Sequence, residues 1–175
     1  MKFTSLTGKL TSMFKKEPNY LAGSPRFEWK FGKRSLTKLQ GVNDDLVRVC
    51  HLALTLSPLD FGITCGIRTQ AEQDELLAKG ATQVKRSRHQ DGAAIDVVAY
   101  VNGKVSWDLE HYITIAEAFA LASKELDVEI RWGAAWTHSL YSHKAKRAHT
   151  SYILLRKEQG KKPFIDGPHF EVPKE

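Results

Sequence analysis

Cysteine is scarce in this chain: Cys50 and Cys65 are the only two in 175 residues. No CxxC pair is present to build a structural zinc knuckle, and two thiols cannot supply a cystine framework. Both are expected as free thiols, in keeping with synthesis in a reducing compartment. No apolar run is long enough to cross a bilayer, and the opening MKFTSLTGKLTSMFKK lacks the continuous apolar segment of a cleaved secretion signal. Helix-turn-helix signatures, zinc-finger spacings and aromatic–basic repeats are also missing, so no specific nucleic-acid partner is expected. A hydrophobic fraction of 42% beside a charged fraction of 26% excludes a disordered or fibrous chain. A mass of 19.7 kDa suits one domain with a real core.

Charge is abundant but unevenly placed. Residues 1–40 hold nine Lys/Arg against two acids and residues 138–162 hold seven against one, while the remainder holds ten against seventeen. Two basic segments therefore flank an acidic body, an arrangement that attracts anionic polymers or membrane surfaces. Phe3, Leu6, Leu10, Met13 and Phe14 fall at helical spacing among lysines, as in a surface helix on an anionic membrane. Gly8 and the Ser/Thr residues weaken that helix and favour an arm that packs on the domain.

Periodicity in the middle of the chain points to an α+β fold. Asn43 caps a helix whose apolar stripe is Leu46, Val47, Cys50, Ala53 and Leu54, and Ser57-Pro58 ends it. Phe61, Ile63, Cys65 and Ile67 alternate as a strand with these four side chains inward. Thr69 and Glu72 form a capping box for a short helix stopped at Gly80, which places Arg68 at a strand-to-helix junction. Ile95 to Tyr100 reads as a second strand, with Asn102-Gly103 turning into a hairpin through Val105 and Trp107. Asp108 caps a longer helix, Val128, Ile130 and Trp132 alternate as a further strand, and His169 to Val172 form a last one.

Two compact clusters carry the chemistry. Ser87-Arg88-His89-Gln90-Asp91-Gly92-Ala93-Ala94-Ile95-Asp96 contains an imidazole and a carboxylate seven residues apart, suited to a loop feeding a strand. Asp166-Gly167-Pro168-His169-Phe170-Glu171 closes the chain with a second imidazole. His89, Asp96 and His169 make a three-ligand set that leaves a fourth zinc position for water. That set requires the strand of Asp96 to lie beside the strand of His169. Asp166, three residues before His169 across a Gly-Pro turn, is the candidate proton carrier. His138, His143 and His149 have no clean metal spacing.

The pattern S-x-H-x-x-G-x-A-x-D of Ser87 to Asp96, with D-x-x-H-F at Asp166 to Phe170, resembles the zinc D-alanyl-D-alanine carboxypeptidases and L-alanyl-D-glutamate peptidases of peptidase family M15. Ser35-Leu36, Leu39, Gly41-Val42, Ser57-Pro58, Asp60-Phe61 and Gly66-Ile67-Arg68-Thr69 extend the likeness to phage endolysins of that group, over residues 33 to 173. The resemblance implies Zn2+ on His89, Asp96 and His169, with Asp166 as catalytic acid/base. It implies Arg68 in substrate or transition-state stabilisation, and Ser87, Trp132 and Trp136 along the substrate. One departure stands out: Trp132-Gly133-Ala134-Ala135-Trp136 has alanines where the family's W-G-G-x-W segment has a second glycine and often an acid, which questions the pocket shape.

The expected molecule is thus a small α+β domain with an antiparallel sheet packed by helices and a zinc site on the sheet. Residues 1–32 are expected as a basic arm and 33–175 as the catalytic domain, with 138–162 a basic helical or flap insertion. A monomer is expected, and the resemblance implies an endolysin that waits in the host cytoplasm and cuts the peptidoglycan stem peptide in the periplasm, at the L-alanyl-D-glutamate bond. Its rivals are a D,D-carboxypeptidase and a non-catalytic zinc-stabilised wall-binding or virion module.

Overall fold

Asn43 begins the first long helix as its side chain requires: Oδ1 accepts the Leu46 N–H at 3.1 Å. Helix α2, Asp44–Leu56, follows a short α1, Lys33–Lys38. The computed structural model describes residues 23–174, so the stripe from Phe3 to Phe14 lies outside the described residues. Residues 23–32 have no regular element and run along the end of α2, with Phe27 N–H donating to Thr55 O and Trp29 Nε1 to Ser57 O.

Strand β1, Asp60–Cys65, leads to α3, Gln70–Ala78, where the Thr69–Glu72 capping box forms and Gly80 takes the left-handed conformation at φ 68°. Strand β2, Ala94–Val101, turns at Asn102-Gly103, both at positive φ, into β3, Lys104–Ser106. Asp108 caps α4, Leu109–Leu126, through the Glu110 N–H. The strand expected over Val128 to Trp132 is reduced to β4, Arg131–Trp132. Helix α5, Ala145–Glu158, and strand β5, His169–Glu171, complete the chain.

The sheet runs β1-β2-β5-β4, with β3 paired to the far end of β2, and every pairing is antiparallel. Opposed residues share a face. Ile95 pairs with Phe170 on the core side, while Asp96 pairs with His169 on the other. Helices α2 and α4 cover the core side: Phe119 of α4 stacks on Phe170 with centroids 4.0 Å apart and meets Phe61 at 5.7 Å.

Strand β1 departs from simple alternation. Its register against β2 slips between Ile63 and Cys65, so Cys65 pairs with Asp96 and leaves the inward row of Phe61 and Ile63. Ile67, expected inward, is 49% exposed beyond the strand's end. Gly66 sits where α1 crosses closely: a Cβ there would stand 1.9 Å from Lys38 O.

Phe119 joins β1 and β5 through two aromatic neighbours, Phe61 and Phe170, and is fully buried. Phe119→Ala is expected to cost about 3–5 kcal/mol. Urea unfolding checks this as a lower midpoint at unchanged slope.

Candidate metal centre and active-site cleft

The β2–β5 register sets the centre. Asp96 and His169 are direct cross-strand partners, and His89 reaches them from a 3-10 turn, Arg88–Asp91, within the segment expected to be a loop. Ser87 caps this turn, accepting the His89 N–H at 3.4 Å, and Gln90 returns a bond to the Ser87 N–H. Gly92 leaves the turn at φ 66°, where a Cβ would stand 2.8 Å from Gly41 O. Arg88 ties the turn to the end of β5 by donating to Val172 O.

His89 Nε2, His169 Nδ1 and Asp96 Oδ1 form a triangle whose three sides are each 3.2 Å. The opposite ring nitrogens fix both tautomers. His89 Nδ1 lies 2.7 Å from Gly66 O and His169 Nε2 lies 2.8 Å from Glu171 Oε2, and both oxygens only accept, so both of these nitrogens carry hydrogen. With neutral rings, three lone pairs then face one another in a buried space. Tetrahedral bonds of about 2.0–2.1 Å to one ion would set such atoms about 3.3 Å apart. The donor set therefore fits a small divalent cation. The Glu171 carboxylate behind His169 is the partner that metal-bound imidazoles commonly have, and Arg131 Nε holds Glu171 in turn at 2.8 Å.

Cys65 adds a donor that sequence reasoning missed. Its sulfur, His89 and Asp96 place ligand atoms within 4.8 Å of one another, a group able to hold a metal ion. Alternation along β1 assigned Cys65 to the core; only the register slip beside Asp96 brings it here. Glu171 was likewise read only as part of a strand.

Without a cation the centre attracts protons. Burial opposes a charged His89, but Asp96 and Cys65 outweigh it and raise the imidazole to about 10. Burial also opposes the Asp96 carboxylate, yet both imidazoles hold it well below the usual range. Asp166 moves the other way: burial raises its carboxyl, and the Asp96 charge adds to this.

A cleft of about 680 Å³ opens over the triangle. Arg68, Ser87, Trp136 and Asp166 line it with His89, Asp96 and His169. Arg68 is held by Asp96 Oδ2 at 3.1 Å and Gln73 Oε1 at 2.9 Å. Asp166 enters through the expected turn, its carbonyl accepting the His169 N–H at 3.2 Å. Gly133 makes the fit possible, since a Cβ there would meet Asp166 O at 2.4 Å.

Trp132 is placed differently from the expectation that it touches substrate. It is fully buried, stacks near Phe170 at 6.3 Å and donates Nε1–H to Gly167 O at 2.7 Å, so it supports the turn from beneath. Ala134 and Ala135 are also fully buried and do not line the cleft. Their departure from the family pattern therefore does not fall on the cleft lining. His138 and His143 pack against each other, and His149 Nδ1 bonds Ala134 O. None of these three lines the cleft.

Residues 27–172 match the family model described as phage L-alanyl-D-glutamate peptidase, and the chain belongs to that family. It is 44% identical over 115 residues to the L-alanyl-D-glutamate peptidase of Escherichia phage T5, spanning 63% of this chain and 84% of that one. The crystal structure of Serratia marcescens L-Ala D-Glu endopeptidase ChiX superposes with a TM-score of 0.63 at 35% identity. The match covers 83% of this chain and 92% of that one.

Below a pH of about 10 the ion-free centre keeps a proton on His89 that a cation must displace. Titrating chelator-treated protein with Zn2+ at pH 7 should release protons, giving different calorimetric heats in buffers of different ionisation enthalpy. Apparent affinity should rise from pH 7 toward 10. Equal heats in all buffers would show that no proton is exchanged.

Proposed function

We propose that this protein is a zinc peptidase of phage lysis that cleaves the L-alanyl-D-glutamate bond of peptidoglycan stem peptides. The observation that carries the reading is the triangle of His89, Asp96 and His169 lone pairs at the floor of the cleft, in a chain of this family. These three residues would hold zinc, with one coordination position left for the reaction. The chemistry the ion supplies there is Lewis acidity toward the peptide carbonyl and acidification of water.

The chain's own groups do the rest. Gly66 O and Glu171 keep the two imidazoles turned to the centre. Asp166, whose carboxyl burial raises, takes the proton of the attacking water and passes it to the departing amine. Arg68 holds Asp96 by Oδ2, so that Oδ1 remains for the ion. Its positive charge stands beside the reacting carbonyl, where it stabilises developing negative charge. Ser87 positions His89 through the turn it caps, and Trp136, with its ring 5.2 Å from that of His169, forms the wall against which the peptide lies. The exposed Lys144 that caps α5, with Lys146, Arg147 and Lys157 on the helix, draws the enzyme to the anionic wall. Among the described residues no helix is long and apolar enough to cross a membrane.

Digestion of defined muropeptides, with and without chelator, tests the reaction. Mass analysis should find cleavage between L-alanine and D-glutamate only when zinc is present. Release of free D-alanine would identify a D,D-carboxypeptidase, and binding to sacculi without turnover would identify a wall-binding module.

Asp166→Asn nearly preserves shape but removes the proton acceptor. It should keep one zinc per chain while hydrolysis falls by about 10²–10⁴-fold. Turnover near that of wild type in zinc-loaded protein would exclude Asp166 as the proton carrier.

A further inference from the structure

Five arginines line the cleft: Arg68, Arg86, Arg88, Arg131 and Arg156. Four have a carboxylate partner in the chain itself. Arg68 pairs with Asp96 at 3.1 Å, Arg86 and Arg88 share Asp91 at 2.6 and 3.1 Å, and Arg131 pairs with Glu171. The cleft's remaining carboxyl, Asp166, has Asp96, His169, His89 and Arg68 as its charged neighbours.

Arg156 is different. Among the described residues it has no carboxylate partner; Nη2 donates to Lys162 O at 3.2 Å, and Nε is buried with no acceptor at all. The last turn of α5 offers its guanidinium only the weak attraction of a helix carbonyl end. A buried donor without a partner is costly in a folded protein and calls for an explanation. A carboxylate brought into the cleft that Arg156 lines would supply the guanidinium's missing counter-charge.

The surroundings place this cation on the path of a peptide. Trp136 contacts His169 with ring centroids 5.2 Å apart and stacks on Phe164 at 6.1 Å. The Phe164 backbone is held in turn by the Tyr152 hydroxyl, one helical turn before Arg156. An extended chain advances about 3.3–3.6 Å per residue, so the path from His169 past Trp136 to Phe164 is spanned by about three residues.

We infer that Arg156 is a specificity-determining residue that binds a carboxylate of the peptide substrate, away from the scissile bond along the Trp136–Phe164 wall. This rests on the peptidase reading above. Insertion 138–162 then serves in two ways: its outer lysines face solvent, while its inner side, through Tyr152 and Arg156, completes the cleft.

The test uses soluble L-alanyl-D-glutamyl peptides in which each carboxylate in turn is replaced by a carboxamide. With zinc-loaded wild type, one such replacement should raise KM about 10–100-fold, the strength of one charged hydrogen bond. That discrimination should vanish in Arg156→Gln and partly return in Arg156→Lys, with kcat carrying little of the change. The inference is overturned if each carboxamide affects wild type and Arg156→Gln alike, or if Arg156→Gln weakens all peptides equally. Calorimetric binding to Asp166→Asn, with and without Arg156→Gln, reads the same preference with turnover suppressed. Peptides left uncut by wild type would refute the peptidase reading, while this binding preference would still decide for or against Arg156.

Discussion

The register between β2 and β5 is the constraint on which the rest depends. Ile95 opposite Phe170 commits one face of the pair to the α2–α4 core, and the next rung, Asp96 opposite His169, then has to project from the other face. A slip of one residue would bury a carboxylate and an imidazole among Phe61, Phe119 and Ile115 and expose the aromatic in their place. The cost of that exchange is what holds the two donors side by side. The same hydrophobic pattern that folds the sheet thus aligns the centre, and Phe170, sandwiched between Phe119 and Trp132, links the two.

Once held there, the donors are poorly matched to one another. Two imidazole nitrogens and a carboxylate oxygen at 3.2 Å repel unless a positive charge sits among them. Protons meet that need in the ion-free protein, which is why burial fails to keep His89 neutral. A divalent ion meets it better, since one charge centre satisfies all three donors. Gly66 O and Glu171 ensure that each ring presents its unprotonated nitrogen inward, and Arg131 and Arg68 hold the carboxylates behind and beside them. The centre is consequently built outward in layers of alternating charge.

That alternation explains the cleft's electrostatics. Arginines are numerous, but Arg68, Arg86, Arg88 and Arg131 each have a carboxylate of the chain as partner, with Asp91 shared by two of them, so much of their charge is offset within the chain. Of the cleft's arginines, Arg156 alone has no carboxylate partner among the described residues.

Much of this was legible in the chain. The capped helices α2, α3 and α4, the Asn102-Gly103 hairpin and the clusters around His89–Asp96 and Asp166–His169 are local patterns, because caps, turns and periodicity depend on residues a few positions apart. Three features were not. Cys65 alternates with its neighbours as a core residue and is brought beside Asp96 only by a register slip, which depends on the partner strand. Trp132 has the look of a cleft residue, yet packing on Phe170 buries it completely. Arg156 reads as one charge in a basic helix, and its lack of a carboxylate partner is set by which side chains the fold brings to the cleft. The sequence by itself determined which residues can bind a metal or move a proton and which segments become helices and strands. Tertiary structure alone decided which of those groups face one another, because pairing register and burial are set by contacts between residues far apart in the chain.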